Sequence, residues 1–126
     1  MKSLSSRLFL APFLFFLLNS ASGQSVTPPL ATVVEEQDYT FAYGLYKDGL
    51  FQLASEQLDK FLSKHPQSLK RVDAAFLRWE CAFQIQQYDA AVRCLQTFVR
   101  EFPNSPLTDD AFFRMGESYL KMKKPQ

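Results

Sequence analysis

The sequence predicts an all-α protein built as a solenoid of paired helices, and three observations carry that prediction. First, the chain repeats itself at an interval of 37 residues. Ala54 falls on Ala91, Leu58 on Leu95, Phe61 on Phe98, Pro66 on Pro103 and Ser68 on Ser105. The register continues with Asp73 on Asp110, Ala74 on Ala111, Phe76 on Phe113 and Glu80 on Glu117. A period of roughly 20 to 50 residues marks a supersecondary unit that buries its apolar face only by stacking on the next unit. Second, apolar residues recur at helical spacing, in Leu50, Leu53, Ala54, Leu58, Phe61 and Leu62 and again in Ala91, Leu95, Phe98, Val99 and Phe102. Third, no segment alternates apolar and polar residues for long enough to make a strand.

Not all 126 residues belong to the fold. Met1 to Gly23 reads as a secretory signal: Lys2 and Arg7 precede an apolar run from Leu8 to Leu18, and Ala21-Ser22-Gly23 supplies the small residues before a cleavage site. Eleven apolar residues fall short of the ~20 that span a bilayer. No cysteine lies near the end of this run, so a lipid-modified amino terminus is not supported. Cleavage leaves 103 residues with twelve basic and thirteen acidic side chains, a net charge of −1. Such a chain has no electrostatic footprint for nucleic acid. Both cysteines, Cys81 and Cys94, remain in a compartment that permits disulfides. A Cys81–Cys94 bridge and two free thiols in a helical core are both open, because spacing does not set the Cα separation a bridge needs.

Residues 24–33 contain Pro28-Pro29 and no apolar period, which predicts a flexible linker. The repeat domain is expected over residues 34–126. Its first helix runs from Val34 to Lys47 and stops at Asp48-Gly49, where glycine takes the left-handed conformation of a C-terminal cap. A second, from Leu50 to Lys64, ends at His65-Pro66, because the residue before proline is driven out of the helical region. Ser68 is the expected N-cap of a third helix reaching Ile85. The fourth runs from Tyr88 to Phe102 and stops at Pro103, and Ser105-Pro106 opens the fifth. Glu35, Glu36 and Asp38 are expected to favour the amino terminus of the first helix.

In this order of residues the chain resembles the tetratricopeptide repeat family over Val34 to the C-terminus. The units read Ala42, Phe51, Ala54, Leu58, Phe61, Pro66 and then Trp79, Tyr88, Ala91, Leu95, Phe98, Pro103, with Gly116 opening a third. The segments FLSKHPQS and FVREFPNS look most like the periplasmic branch, which includes the cell-division coordinator of the Tol–Pal system and the lipoprotein of the outer-membrane assembly machine. The resemblance implies two complete repeats plus the first helix of a third, and hence a longer protein. Trp79 departs from the pattern, standing where a small residue lets paired helices approach. Either the second pair is splayed or the indole leans over the neighbouring repeat.

Catalytic chemistry finds no support. His65 is the single histidine, the cysteines lack the paired spacing of a zinc site, and Gly44, Gly49 and Gly116 form no phosphate-cradling loop. No cofactor or metal is expected. The resemblance instead implies a binding surface, because the first helix of each pair lines the concave face of the solenoid. Carried position by position, that face holds Tyr39, Tyr43 and Tyr46, then Phe76, Glu80 and Phe83, then Phe113, Glu117 and Leu120. Against this, aromatic stripes at helical spacing often belong to a core. The function expected is an exported, periplasmic scaffold binding a peptide or helix of another envelope protein, with an accessory or oligomerisation domain of a longer envelope enzyme or assembly protein as the alternative. Met115, Gly116 and Tyr119 are expected to lack a covering helix, which predicts fraying or self-association through the last helix.

Overall fold

The computed structural model describes residues 29–123; the expected signal peptide, 1–23, and residues 24–28 of the expected linker lie outside them. Five helices follow one another: α1 (Leu30–Lys47), α2 (Phe51–Lys64), α3 (Arg71–Gln84), α4 (Tyr88–Glu101) and α5 (Thr108–Lys123). Each packs chiefly on its neighbours in sequence, α1 on α2, α2 on α3, α3 on α4 and α4 on α5. The described residues form no strand, and their consecutive helix packing is that of a tetratricopeptide-like solenoid.

The 37-residue period governs the backbone as well as the side chains. At the end of α1, the Leu50 N–H bonds the Leu45 carbonyl at 2.9 Å and the Gly49 N–H bonds the Tyr46 carbonyl at 3.0 Å. At the end of α3, Gln87 bonds Ala82 at 2.9 Å and Gln86 bonds Phe83 at 3.0 Å. Both pairs are the crossed bonds of a Schellman motif, which needs a left-handed residue just past the cap. Gly49 fills that position at φ 75° and Gln86 at φ 63°. Leu50 and Gln87, which close these motifs, also accept the first N–H of the next helix, from Ala54 at 2.8 Å and Ala91 at 2.9 Å. One motif therefore ends a helix and begins its partner, leaving no room for a side-chain cap.

The other connections are also duplicates. After α2 the Ser68 Oγ accepts the Lys70 N–H at 3.0 Å, and after α4 the Ser105 Oγ accepts the Leu107 N–H at 3.2 Å. Each serine shapes a turn ahead of the helix, so α3 starts at Arg71 and α5 at Thr108 rather than beside the serines. The start of α1 moves the other way. It begins at Leu30, inside the expected linker, with Thr32 and Val33 donating to the Pro29 carbonyl at 2.8 and 3.3 Å. Leu30 is 78% exposed, so this turn adds backbone bonds to an existing helix without burying an apolar face.

Small residues let the first pair approach closely. Ala42 on α1 and Ala54 on α2 are fully buried with Leu58, Phe61, Ala74 and Cys81. Burying Leu58 and Phe61 contributes about 1.5–3 kcal/mol each. The second core gathers Leu95 and Phe98 from α4, Ala111 from α5 and Trp79 from α3. Trp79 is 5% exposed, packed edge-on against Phe76 and Phe83, with the Arg114 guanidinium of α5 5.6 Å from its ring. The indole thus lies against the next unit, the second of the two arrangements its bulk allowed.

The acidic residues of α1 do not cap its amino terminus, which lies a full turn earlier. Asp38 Oδ2 is 2.7 Å from both His65 Nε2 and Lys64 Nζ, and Glu35 accepts the Ser68 hydroxyl at 2.5 Å. They clasp α1 to the α2–α3 connection instead. Both cysteines are free thiols: Cys81 is buried, which pushes its pKa up to about 12, and desolvation raises the half-buried Cys94 as well.

Candidate protein-binding face

Helices α1, α3 and α5 carry equivalent positions, 37 residues apart. Tyr39, Phe76 and Phe113 form one row, Tyr43, Glu80 and Glu117 the next, and Tyr46, Phe83 and Leu120 the third. Spacings of three and four residues place each helix's contribution on a single stripe. The nine residues expected from the sequence thus occupy corresponding register positions, yet they divide in exposure.

Tyr43, Phe113 and Leu120 are open to solvent, at 41%, 67% and 65%. Tyr39 and Tyr46 are half-buried against the first core, and Phe76 and Phe83 against the second. Phe76 meets Phe98 edge-on at 5.3 Å and Phe83 meets Tyr88 at 5.2 Å, so both are largely packing residues. Tyr39 likewise leans on Phe61, with ring centroids 5.5 Å apart. Tyr39, Tyr46, Phe76 and Phe83 thus contribute to the cores, while Tyr43, Phe113 and Leu120 do not.

The tyrosines of α1 form a continuous stack. Tyr39 and Tyr43 are 6.1 Å apart with planes inclined by 8°, and Tyr43 and Tyr46 are 6.0 Å apart at 25°. Two of them, Tyr39 and Tyr46, feel neighbouring carboxylates. Burial, and after it the neighbouring Glu80 carboxylate, push the Tyr46 pKa up to about 12. Burial raises Tyr39 too, followed by the charge of Asp73 and, after Tyr43, that of Glu36. Lys70 Nζ lies 5.3 Å above the Tyr39 ring. On α5, Arg114 is held by Glu117 at 3.0 Å and by Asp110 at 3.4 Å. Glu36, Asp73 and Lys70 were not singled out from the sequence as binding residues. The signal was present in the repeat, because Glu36, Asp73 and Asp110 are also 37 residues apart.

Helices α2, α3 and α4 together offer a different surface. Two adjoining hollows of about 360 and 300 Å³ lie between α2 and α4 over α3, sharing Asp59, Arg78, Cys94 and Thr97. Arg78 meets Asp59 there, and Arg71 meets Glu101 at 3.0 Å. Each guanidinium already has its carboxylate, so this groove is closed on itself electrostatically. No group of three or more potential metal ligands occurs among the described residues, and none of their helices is long and apolar enough to cross a membrane.

Comparison with known proteins fits this architecture. No curated protein and no solved structure matches the chain. The family model described as YfiO, outer membrane lipoprotein, matches residues 28–123, which is most of the chain and nearly all of the helical repeat. That family is tetratricopeptide-like, of the non-catalytic scaffold type, and takes part in outer-membrane assembly in the cell envelope. On this match, and with a fold of paired helices to support it, the chain belongs to the YfiO family of outer membrane lipoproteins.

Proposed function

We propose that this protein is an exported, periplasmic scaffold that binds a peptide or helix of another envelope protein on the face formed by α1, α3 and α5, without catalysing a reaction. One observation carries the reading. Three successive odd-numbered helices carry equivalent rows 37 residues apart, and those rows keep Tyr43, Phe113 and Leu120 exposed. Aromatic side chains give large contact area with little rotamer entropy to lose, which suits them to anchor a partner. Export rests on Met1 to Gly23 acting as a cleaved signal.

The test is recovery of partners from an envelope extract by the full chain and by its Tyr43→Ala and Phe113→Ala variants. The reading expects a partner retained by the parent and reduced about tenfold or more by the variants, corresponding to ~1.4 kcal/mol or more. Equal recovery by variants of unchanged helicity would remove it.

A second reading, an accessory or oligomerisation domain, draws on the outward face of α5. In α1 the Asp38, Ala42 and Leu45 positions meet α2, and in α3 the Ala75, Trp79 and Ala82 positions face α4. The α5 counterparts, Phe112, Gly116 and Tyr119, meet no further helix among the described residues; Phe112 is 55% and Tyr119 45% exposed. Self-association through this face would appear as a concentration-dependent rise in mass by light scattering, abolished by Phe112→Ser. A strictly monomeric protein at all concentrations would dismiss it.

A further inference from the structure

The inner face has a chemical bias that its aromatic residues alone do not explain. Glu36 shares its stripe of α1 with Tyr39, Tyr43 and Tyr46, and Asp73 and Glu80 occupy the matching register positions of α3. After burial itself, the charges of Asp73 and Glu36 raise the Tyr39 pKa and Glu80 raises that of Tyr46. None of the three forms an ion pair among the described residues. The cations facing them are few: Lys70 lies over Tyr39, while Arg114 is already held by Asp110 and Glu117. Three stacked phenol rings add the negative potential of their faces, to which ammonium and guanidinium groups are attracted. The position of Lys70 over Tyr39 is an internal instance of that attraction.

We propose that the inner face selects a cationic segment, a peptide whose arginine or lysine side chains lie along the Tyr39–Tyr43–Tyr46 stack and reach Glu36, Asp73 and Glu80. This inference rests on the inner face being the binding face. A single metal ion does not fit, because no three potential ligands converge among the described residues. Carboxylates set apart along the stack match charges carried at intervals on a chain. An acidic segment would meet three uncompensated carboxylates, and like charges brought together disfavour that partner. The exposed Phe113 and Leu120 at the far end of the same face suit apolar side chains interleaved with the basic ones.

The experiment uses the full-length protein and three labelled synthetic peptides of the same length, in which leucine alternates with arginine, serine or glutamate. Anisotropy titrations are run at low and high salt. The arginine peptide should bind at least about tenfold tighter than the other two, with the advantage shrinking at high salt as screening predicts. Asp73→Asn combined with Glu80→Gln should weaken it about three- to tenfold at an unchanged melting temperature. Glu56→Gln, on the exposed side of α2, should leave it unaltered and so separates the site from general charge attraction. Equal affinity for the serine peptide, or equal loss with Glu56→Gln, would overturn the inference. If the serine peptide binds as well and Tyr43→Ala abolishes binding, the inner face stands as the site and only the charge selection fails. If the arginine peptide binds and Tyr43→Ala changes nothing, the inner-face reading fails with it.

Discussion

Gln86 is the residue at which the repeat works against its own chemistry. It adopts φ 63° in the Schellman motif where Gly49 adopts 75° one unit earlier. A side chain at such an angle crowds the following carbonyl, whereas glycine does not. Gln86→Gly should therefore stabilise the protein by about 0.5–1 kcal/mol in urea titration, a gain offset in part by glycine's greater freedom when unfolded. No change, or a loss, would mean that the Gln86 side chain makes compensating contacts. Asp38 supplies a second residue-level prediction. Hydrogen bonds from His65 and then Lys64 hold its carboxyl below the ordinary value of 3.8. A depressed carboxylate contributes stability above its unfolded pKa and loses it as pH falls through the folded one, so the clasp should loosen below about pH 4. Asp38→Asn should flatten the acid limb of a stability-against-pH curve, and an unchanged limb would show the clasp to be idle. This contact could not be read in the sequence, since 27 residues separate the partners and only the packing of α1 on α2 unites them.

At the scale of elements, stops were more legible than starts. Gly49 and the prolines Pro66 and Pro103 act through local backbone geometry, so the ends of α1, α2 and α4 fell within a residue of expectation. The starts of α3 and α5 shifted because Ser68 and Ser105 satisfy a nearby N–H in a turn before the helix begins. At the start of α1 the Pro29 carbonyl takes two N–H groups, and no apolar period was needed there to extend the helix. Trp79 was legible as an exception but not in its direction, which depends on Arg114 and Ala111 arriving from α5. The last element carries its own prediction. α5 buries Ala111 and Ser118 on one side while Phe112, Phe113, Tyr119 and Leu120 remain exposed. Helices packed on one side open at lower free energy than those packed on two. Amide exchange over residues 108–121 should accordingly run faster than over α3 and α4. Equal protection in a dilute monomer would show that α5 needs no cover.

For the whole molecule, the period was the informative quantity. It exposed the paired-helix architecture and aligned α1, α3 and α5, all before any contact was known, while the choice of rows came from the resemblance to tetratricopeptide repeats. It did not separate the exposed Tyr43, Phe113 and Leu120 from the half-buried Tyr39, Phe76 and Phe83, because equal register positions meet unequal neighbours. Nor did it separate the open carboxylates near α1 from the paired ones on α5, since that difference turns on Arg114. The central claim is that the aligned rows, rather than the groove between α2 and α4, meet the partner. Photocrosslinking tests it most directly, with a reactive amino acid placed in turn at Tyr43 and Phe113 on the inner face and at Thr97 and Arg93 on the outer groove. The account predicts one shared crosslinked product from Tyr43 and Phe113 and little from Thr97 and Arg93. A product formed from the outer positions and absent from the inner ones would contradict it.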